Sequence, residues 1–163
     1  MNIVTYSKLN LPKLDLPKIW HTNDVQLKAK VGGYIAYYVT DEVDKQIRSI
    51  FPKDFFPKKT HIIVQFIDPK LNGLIHMDRR EFAINYVLNK GGLDAHTGVY
   101  SSDKVLESKY VQQENEWYLL NTFKNHAVHN ITDIRVAISI SFYEFGDTQW
   151  RFVNEKCESK QTI

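Results

Sequence analysis

Two histidines and one aspartate in this sequence have the types and the spacing of a metal site. One residue separates His76 from Asp78, so on a strand, where side chains alternate, both would point to the same face. His126, delivered by a distant stretch of chain, would complete a set of three ligands. Two imidazoles and a carboxylate on one face of an octahedron leave the other positions open, as in non-haem Fe(II) sites. The pattern predicts a metal centre with room for further ligands.

A cation follows this set on an apolar strand. Arg135 shares one face of the stretch 134–142 with Ala137, Ser139 and Ser141, while the other face is apolar. A buried guanidinium without an anion is very costly. We therefore expect Arg135 to hold the carboxylate of a bound oxo-acid. A plain salt bridge to a nearby acid is the alternative.

Three other polar residues need an explanation. Asn85 and Gln65 lie inside apolar strand patterns, and buried amides need hydrogen-bond partners. A cosubstrate carboxylate, a backbone group or a water would supply them equally well. His129, three residues beyond His126, falls on the opposite face of a strand, although an exchange of roles between these two histidines is the alternative. The simpler interpretation of His76 and Asp78 is a polar surface strand.

The elements that would position these residues are mostly strands. An aromatic content of 13% favours a β-rich fold, and 163 residues are enough for one domain with a core, spanning 1–163. A helix is predicted to begin at Thr40 and to end before Pro52. Alternation predicts strands over 28–40, 61–67, 74–78, 81–88, 117–122, 127–130 and 134–145, with 95–100 either strand or loop. Mainly β structure with a few helices indicates a double-stranded β-helix, the cupin-like jelly roll.

The remaining segments are predicted to be less regular. Residues 1–25 form an extended N-terminal segment, 101–115 a polar excursion, and 148–163 a loose polar tail. Residues 131–133 resemble a short hairpin connection between the last two strands.

The bulk composition limits the partners and the compartment. A formal net charge of +2 is too mild to indicate a nucleic-acid or membrane-surface partner. Cys157 is the single cysteine and cannot form an internal disulfide, which favours a reducing cytoplasm. We find no secretory signal pattern and no apolar run long enough to span a membrane.

The residues taken together resemble the iron(II)/2-oxoglutarate-dependent dioxygenase superfamily. The pattern His76-x-Asp78, His126, Arg135 is similar to the metal triad and the oxoglutarate-binding basic residue of that family. The stretch 80–92 is similar to the strand after the His-x-Asp pair in prolyl-hydroxylase-like members. The stretch 126–139 resembles the ending of aspartyl/asparaginyl β-hydroxylase-like and small phage-type members. The resemblance covers about residues 61–143 and is specific for the superfamily rather than for a subfamily.

This resemblance implies a chemistry. His76, Asp78 and His126 would hold Fe(II), and Arg135 would pair with the far carboxylate of 2-oxoglutarate, with a hydroxyl contact from Ser139. The tyrosines that often bind oxoglutarate have no clear equivalents, so Asn85 and Gln65 would substitute for them. With O2 as oxidant, the enzyme would hydroxylate a small-molecule or peptide substrate. Arg80, just past the ligands, is a candidate for contact with an acidic substrate, and a solvated basic pair with Arg79 is the alternative.

Two other functions share these residues. A cupin-type metal enzyme would use the same three ligands without oxoglutarate and would not need Arg135. A jelly-roll binding module with incidental histidines would bind no metal.

Overall fold

The computed structural model describes residues 6–28, 32–58 and 60–158. Antiparallel strands are the main regular structure in this part of the chain. Its helices are α1 (Asp41–Ile50) and α2 (Asp147–Lys156), and a 3-10 turn covers Pro69–Leu71. Its strands are β1 (Tyr6–Leu9), β2 (His21–Lys28), β3 (Tyr34–Val39), β4 (His61–Ile67), β5 (Phe82–Asn89), β6 (His96–Tyr100), β7 (Leu106–Tyr110), β8 (Trp117–Asn121), β9 (Asn125–His129) and β10 (Arg135–Phe142).

The strands form a large and a small sheet. Seven strands pair in the order β1-β8-β5-β10-β4-β3-β2, and three pair in the order β7-β6-β9. Consecutive strands lie in different sheets at several points, as in a double-stranded β-helix. The predicted jelly-roll fold class is confirmed.

Alternation along the central strand β10 explains why the large sheet has two different faces. Ile138, Ile140 and Phe142 belong to the main core, the hydrophobic cluster formed where α1 and α2 pack on one face of the large sheet. The intervening Arg135, Ala137 and Ser141 line a cavity on the other face, toward the small sheet. Both faces therefore follow the predicted division of the 134–142 stretch.

The predicted helix is also confirmed. Thr40 is the N-cap of α1, and its hydroxyl accepts from the backbone N–H of Val43. Acidic residues in the first turn and Arg48 in the last match the helix dipole. Val43 and Ile47 are fully buried in the main core, so α1 covers one face of the large sheet.

Several predicted boundaries are wrong. The strand expected over 28–40 is shorter, because only β3 (Tyr34–Val39) forms there and pairs with β2. Gly32 and Gly33, both at positive φ, lie just before β3, while 29–31 lie outside the described residues. Residues 74–78 form no strand, but only a bridge between His76 and His126. The connection 131–133 is not a hairpin, because β9 pairs with β6, whereas β10 pairs with β4 and β5.

The polar segments are also more ordered than predicted. The excursion 101–115 contains β7, which pairs with β6 at the edge of the small sheet. The expected loose tail begins with α2, whose Phe152 and Val153 are buried in the main core. Trp150 is the only other apolar residue of α2, so the helix has too few apolar positions to stand out in the sequence. The N-terminal segment contains β1, which is an edge strand of the large sheet.

Candidate metal centre

The three predicted ligands are brought together by backbone hydrogen bonds. The N–H of His76 donates to the carbonyl of His126 at 3.0 Å, and the N–H of His126 donates back at 2.8 Å. Asp78 is held in the same way, because its N–H donates to the carbonyl of Thr122 at 2.8 Å. A short segment beside β9 therefore positions His76 and Asp78 without belonging to a regular strand.

One ligand atom from each of His76, Asp78 and His126 lies within 4.8 Å of the other two. The two imidazole rings are 4.4 Å apart between centroids. Such a cluster of two nitrogens and a carboxylate oxygen has the donor chemistry of a three-ligand Fe(II) site with open positions.

Hydrogen bonds also determine which nitrogen of each ring is available. The Nδ1 of His76 lies 2.9 Å from the carbonyl of Leu74, and the Nδ1 of His126 lies 2.8 Å from the carbonyl of Lys124. A carbonyl only accepts, so each Nδ1 carries the proton and each Nε2 has a free lone pair. This arrangement orients both rings for ligation through Nε2.

Burial favours the same state of the distal histidine. The pKa of His126 is lowered from its ordinary value, chiefly because the buried ring loses the solvation of its charged form. The Asp78 carboxylate opposes this shift, and His76 adds to it. His126 is therefore held in the neutral form that binds a metal.

Arg80 determines which oxygen of Asp78 is free. Its Nε donates to Asp78 Oδ2 at 2.8 Å, while Asp78 Oδ1 lies 3.7 Å from the Nε2 of His76. Its Nη1 donates to the hydroxyls of Ser139 at 3.1 Å and Ser141 at 2.7 Å. The guanidinium thus fixes Asp78 against β10 and leaves Oδ1 as a single ligand atom.

Arg135 is buried in the same cavity without a carboxylate partner in the described part of the chain. Its Nη1 donates to the carbonyl of Lys90 at 3.2 Å. Burial lowers the pKa of Arg135 from its ordinary value to about 10, a shift that the hydroxyls of Tyr6 and Tyr118 oppose. The plain salt bridge that was the alternative for Arg135 is not found among the described residues.

A glycine turn makes this position of Arg135 possible. Gly91 has a φ of 86° and lies against β10, where an added Cβ would be 3.0 Å from the Cβ of Arg135 and 2.9 Å from Ile131. A larger residue would be strained in this conformation and would displace the arginine. The Gly91–Gly92 pair thus has a packing role beside the site.

The ligands and Arg135 open into one cavity of about 670 Å³ between the two sheets. Asn85 and Gln65 both line it. The Oδ1 of Asn85 is buried without a hydrogen-bond partner among the described residues, whereas Gln65 donates from Nε2 to the hydroxyl of Tyr34 at 3.0 Å. Asn85 is therefore available to a bound molecule, and Gln65 is already engaged in part.

Two predicted contacts have another partner. Ser139 is fully buried and accepts from Arg80, so its hydroxyl is not presented to the cavity. Arg80 lines the cavity, but its guanidinium is bound to Asp78 and the two serines rather than being solvated. In this structure both residues support the position of Asp78.

His129 lies apart from the three-ligand cluster, as strand alternation predicts. Its Nε2 meets the hydroxyl of Tyr100, and its ring stacks on that of His96 at 5.1 Å. Burial, His96 and Lys109 lower the pKa of His129. His96 is buried in this stack rather than lying at the cavity mouth.

Other residues near the site were not predicted. Gln112 and Thr97 line the cavity, and the Oε1 of Gln112 is buried without a partner among the described residues. Burial raises the pKa of Tyr6, and the nearby Gln112 and Arg135 oppose this shift without cancelling it. Gln112 belongs to an irregular segment without periodicity, so no sequence signal indicated it. The spacing of Arg80, two residues after Asp78, would have placed both on one face.

Comparisons with known proteins find similarity among solved structures only. No protein-family model matches the sequence, and no curated protein matches it. A structure of FeII HppE aligns with a TM-score of 0.46 and 11% identity over 73% of this chain and 55% of that one. FeII HppE in complex with substrate aligns at 0.47 with 9% identity, covering 79% and 60%. IDO from Bacillus thuringiensis aligns at 0.40 with 11% identity, covering 84% and 72%. The chain thus spans 55–60% of the length of the HppE chains.

Proposed function

We propose that this protein is an Fe(II)- and 2-oxoglutarate-dependent dioxygenase that hydroxylates a substrate. One observation carries the proposal: a cluster of two histidines and an aspartate opens into the same cavity as the buried Arg135, which no described carboxylate neutralises. A metal and an organic anion would satisfy both ends of this cavity. The open coordination positions and the cation together favour an oxo-acid over a neutral ligand.

The residues present fit the metal. His76 and His126 would contribute Nε2, since Nδ1 of each is held by a backbone carbonyl. Asp78 would contribute Oδ1 because Arg80 occupies Oδ2. A carboxylate held in this way stays a ligand through one oxygen, which preserves open positions on the ion.

The opposite end of the cavity fits the far carboxylate of the cosubstrate. Arg135 lies four residues before Ser139 on β10, or about 13 Å along a strand, and Arg80 links Ser139 to Asp78. The metal ligand Asp78 and the guanidinium of Arg135 therefore lie at two separate places in one cavity. Asn85 and Gln112 lie on its wall with unpartnered oxygens among the described residues, and their amides can turn to donate to a carboxylate.

When bound, iron with oxoglutarate and O2 would supply the oxidising power: oxoglutarate yields succinate and CO2, and one oxygen atom replaces a substrate C–H with C–OH. The chain orients these partners. Arg135 would neutralise and direct the dicarboxylate, and Arg80 would keep Asp78 in place. Both sheets contribute residues to the cavity that would hold these partners, and His126 and Arg135 are buried in its wall.

Succinate release tests the proposal directly. Purified protein with Fe(II), ascorbate, 2-oxoglutarate and air should form succinate slowly even without substrate, and omission of any one of iron, oxoglutarate or oxygen should stop it. Asp78→Ala should lose metal binding and succinate formation together. Arg151→Ala, an exposed substitution on α2, serves as the control that keeps both.

Other outcomes would contradict the proposal. In one of them, the protein binds metal and oxidises a substrate at a rate that depends neither on oxoglutarate nor on Arg135, as tested with Arg135→Ala. That result would favour a cupin-type metal enzyme. A wild-type protein that binds neither Fe(II) nor Mn(II) would favour a binding module.

A further inference from the structure

The charges that line the cavity are unbalanced. Arg79, Arg80 and Arg135 face it, whereas Asp78 is the only carboxylate among the described lining residues. Arg80 is neutralised by Asp78, and Arg135 lies at the buried end assigned to the cosubstrate. A divalent ion adds positive charge, and a dianionic cosubstrate does not remove the excess. A further anion would therefore be favoured in the remaining space.

Arg79 is the cation without an assigned role. It is exposed, lines the cavity next to Asp78 in the chain, and makes no hydrogen bond or ion pair with any described residue. Its neighbour Arg80 has three such bonds, so the two members of the basic pair differ in function. A free guanidinium at a cavity wall can bind a carboxylate through two parallel hydrogen bonds.

The cavity is also lined by exposed apolar groups. Leu27, Leu74, Met77 and Tyr143 all line it, with exposed fractions of 55%, 48%, 54% and 51%. Large apolar side chains exposed in a concave site usually mark the place of a ligand. The cavity lining thus combines exposed apolar groups with a free cation, Arg79, which follows the metal ligand Asp78 in the chain.

We propose that the substrate is a small organic anion with an apolar body, whose acid group binds Arg79 while its body lies against Met77 and Leu27. This inference rests on the proposed function, because it places the substrate next to the metal ligands and assigns Arg135 to the cosubstrate. A cavity of about 670 Å³ that also holds oxoglutarate suits a small molecule.

Binding measurements on full-length protein loaded with Mn(II) and 2-oxoglutarate separate this inference from the proposed function. The probes are matched sets with one body and three head groups: hexanoate, hexanamide and hexylamine, and 3-phenylpropionate with its amide and amine. We expect each acid to bind at least tenfold more tightly than its amide or amine. Arg79→Glu should reverse the order of acid and amine, and the control Arg151→Glu should keep the wild-type order.

Each other outcome has a separate meaning. Equal binding of the three head groups, or an acid preference that survives Arg79→Glu, would overturn the inference even if oxoglutarate binds. Tight binding of single-stranded oligonucleotides without any response to the small acids would overturn it in favour of a nucleic-acid substrate. Failure of the wild-type protein to bind oxoglutarate would refute the proposed function, and the head-group order measured with Mn(II) alone would still test the role of Arg79.

Discussion

Arg80 connects the metal ligand Asp78 to the central strand of the large sheet. It binds Asp78 through Nε and two serines of β10 through Nη1. Partners of this kind orient a ligand without touching the metal, and their loss typically lowers metal affinity by a factor of about 10–100.

We expect Arg80→Ala to weaken Mn(II) binding by about tenfold or more, because Asp78 loses the group that holds Oδ2. Isothermal titration calorimetry with Mn(II) measures this change. Arg80→Lys should recover part of the affinity, since it restores the charge but not the fork of donors. Wild-type affinity in Arg80→Ala would show that Asp78 needs no support.

Arg135 carries a cost that its ligand would remove. Its pKa of about 10 in the folded protein lies well below the ordinary value for arginine, so the folded state disfavours the charged form. The cost is fully present below pH 10 and disappears as the pH rises to the ordinary pKa of arginine. A difference of this size corresponds to roughly 3 kcal/mol.

Arg135→Met should therefore raise the free energy of unfolding of the ligand-free protein at neutral pH, by roughly 1–2 kcal/mol after loss of the bond to Lys90. Urea denaturation measures the change. The same variant should bind oxoglutarate far more weakly while keeping Mn(II). Strong destabilisation of Arg135→Met would mean that the arginine is structural.

At the scale of elements, the site depends on segments that differ in regularity. His126 and Arg135 lie on strands β9 and β10, whereas His76 and Asp78 lie on an irregular segment held by paired backbone bonds. The helices lie behind the large sheet. Phe152 of α2 packs against Phe51 and Phe55 after α1, with ring centroids 5.4 Å and 5.1 Å apart.

Because α2 completes the main core, Phe152→Ala should lower the free energy of unfolding by about 3–5 kcal/mol. Its exposed neighbour offers the matched control, and Arg151→Ala should change stability by less than about 0.5 kcal/mol. Chemical denaturation followed by tryptophan fluorescence compares the two. If both variants unfold at the same urea concentration, α2 contributes nothing to the core.

At the scale of the whole molecule, both sheets line one cavity, so a metal and a cosubstrate bound there would contact both sheets. His126 and Thr97 come from the small sheet, and Arg135 and Asn85 from the large one. A ligand that binds only the folded state at a hundred times its dissociation constant adds about 2.7 kcal/mol to stability. Metal and cosubstrate should therefore stabilise the protein as a unit.

We expect Mn(II) to raise the melting temperature and oxoglutarate to raise it further only when Mn(II) is present, because chelation supplies part of the binding energy. Differential scanning fluorimetry measures both steps. Glutarate, which has both carboxylates but no keto group, is the control and should give a much smaller second step. An equal effect of glutarate would show that the ligand does not chelate the ion.

Much of the site could be predicted because its signals are local. The alternation around Arg135 depends only on the period of a strand. His76 and Asp78 were recognised by their residue types and close spacing, although they lie on an irregular segment rather than on the predicted strand. The roles of Ser139 and Arg80 could not, because each depends on the other across fifty-nine residues of chain. Gln112 could not be predicted either, because it lies in an irregular segment whose sequence shows no periodic pattern.

The sequence by itself determined the β-rich class, the helix capped by Thr40, the two faces of β10 and the residue types of the metal cluster. Periodicity and capping depend on residues a few positions apart, so they can be recognised directly in the sequence. Only the tertiary structure decided that the backbones of His76 and His126 hydrogen-bond to each other. It also decided that Arg80 donates to Asp78 while Arg79 stays free, and that α2 packs in the main core. These contacts join distant residues, and their energies depend on which surfaces meet when the sheets pack.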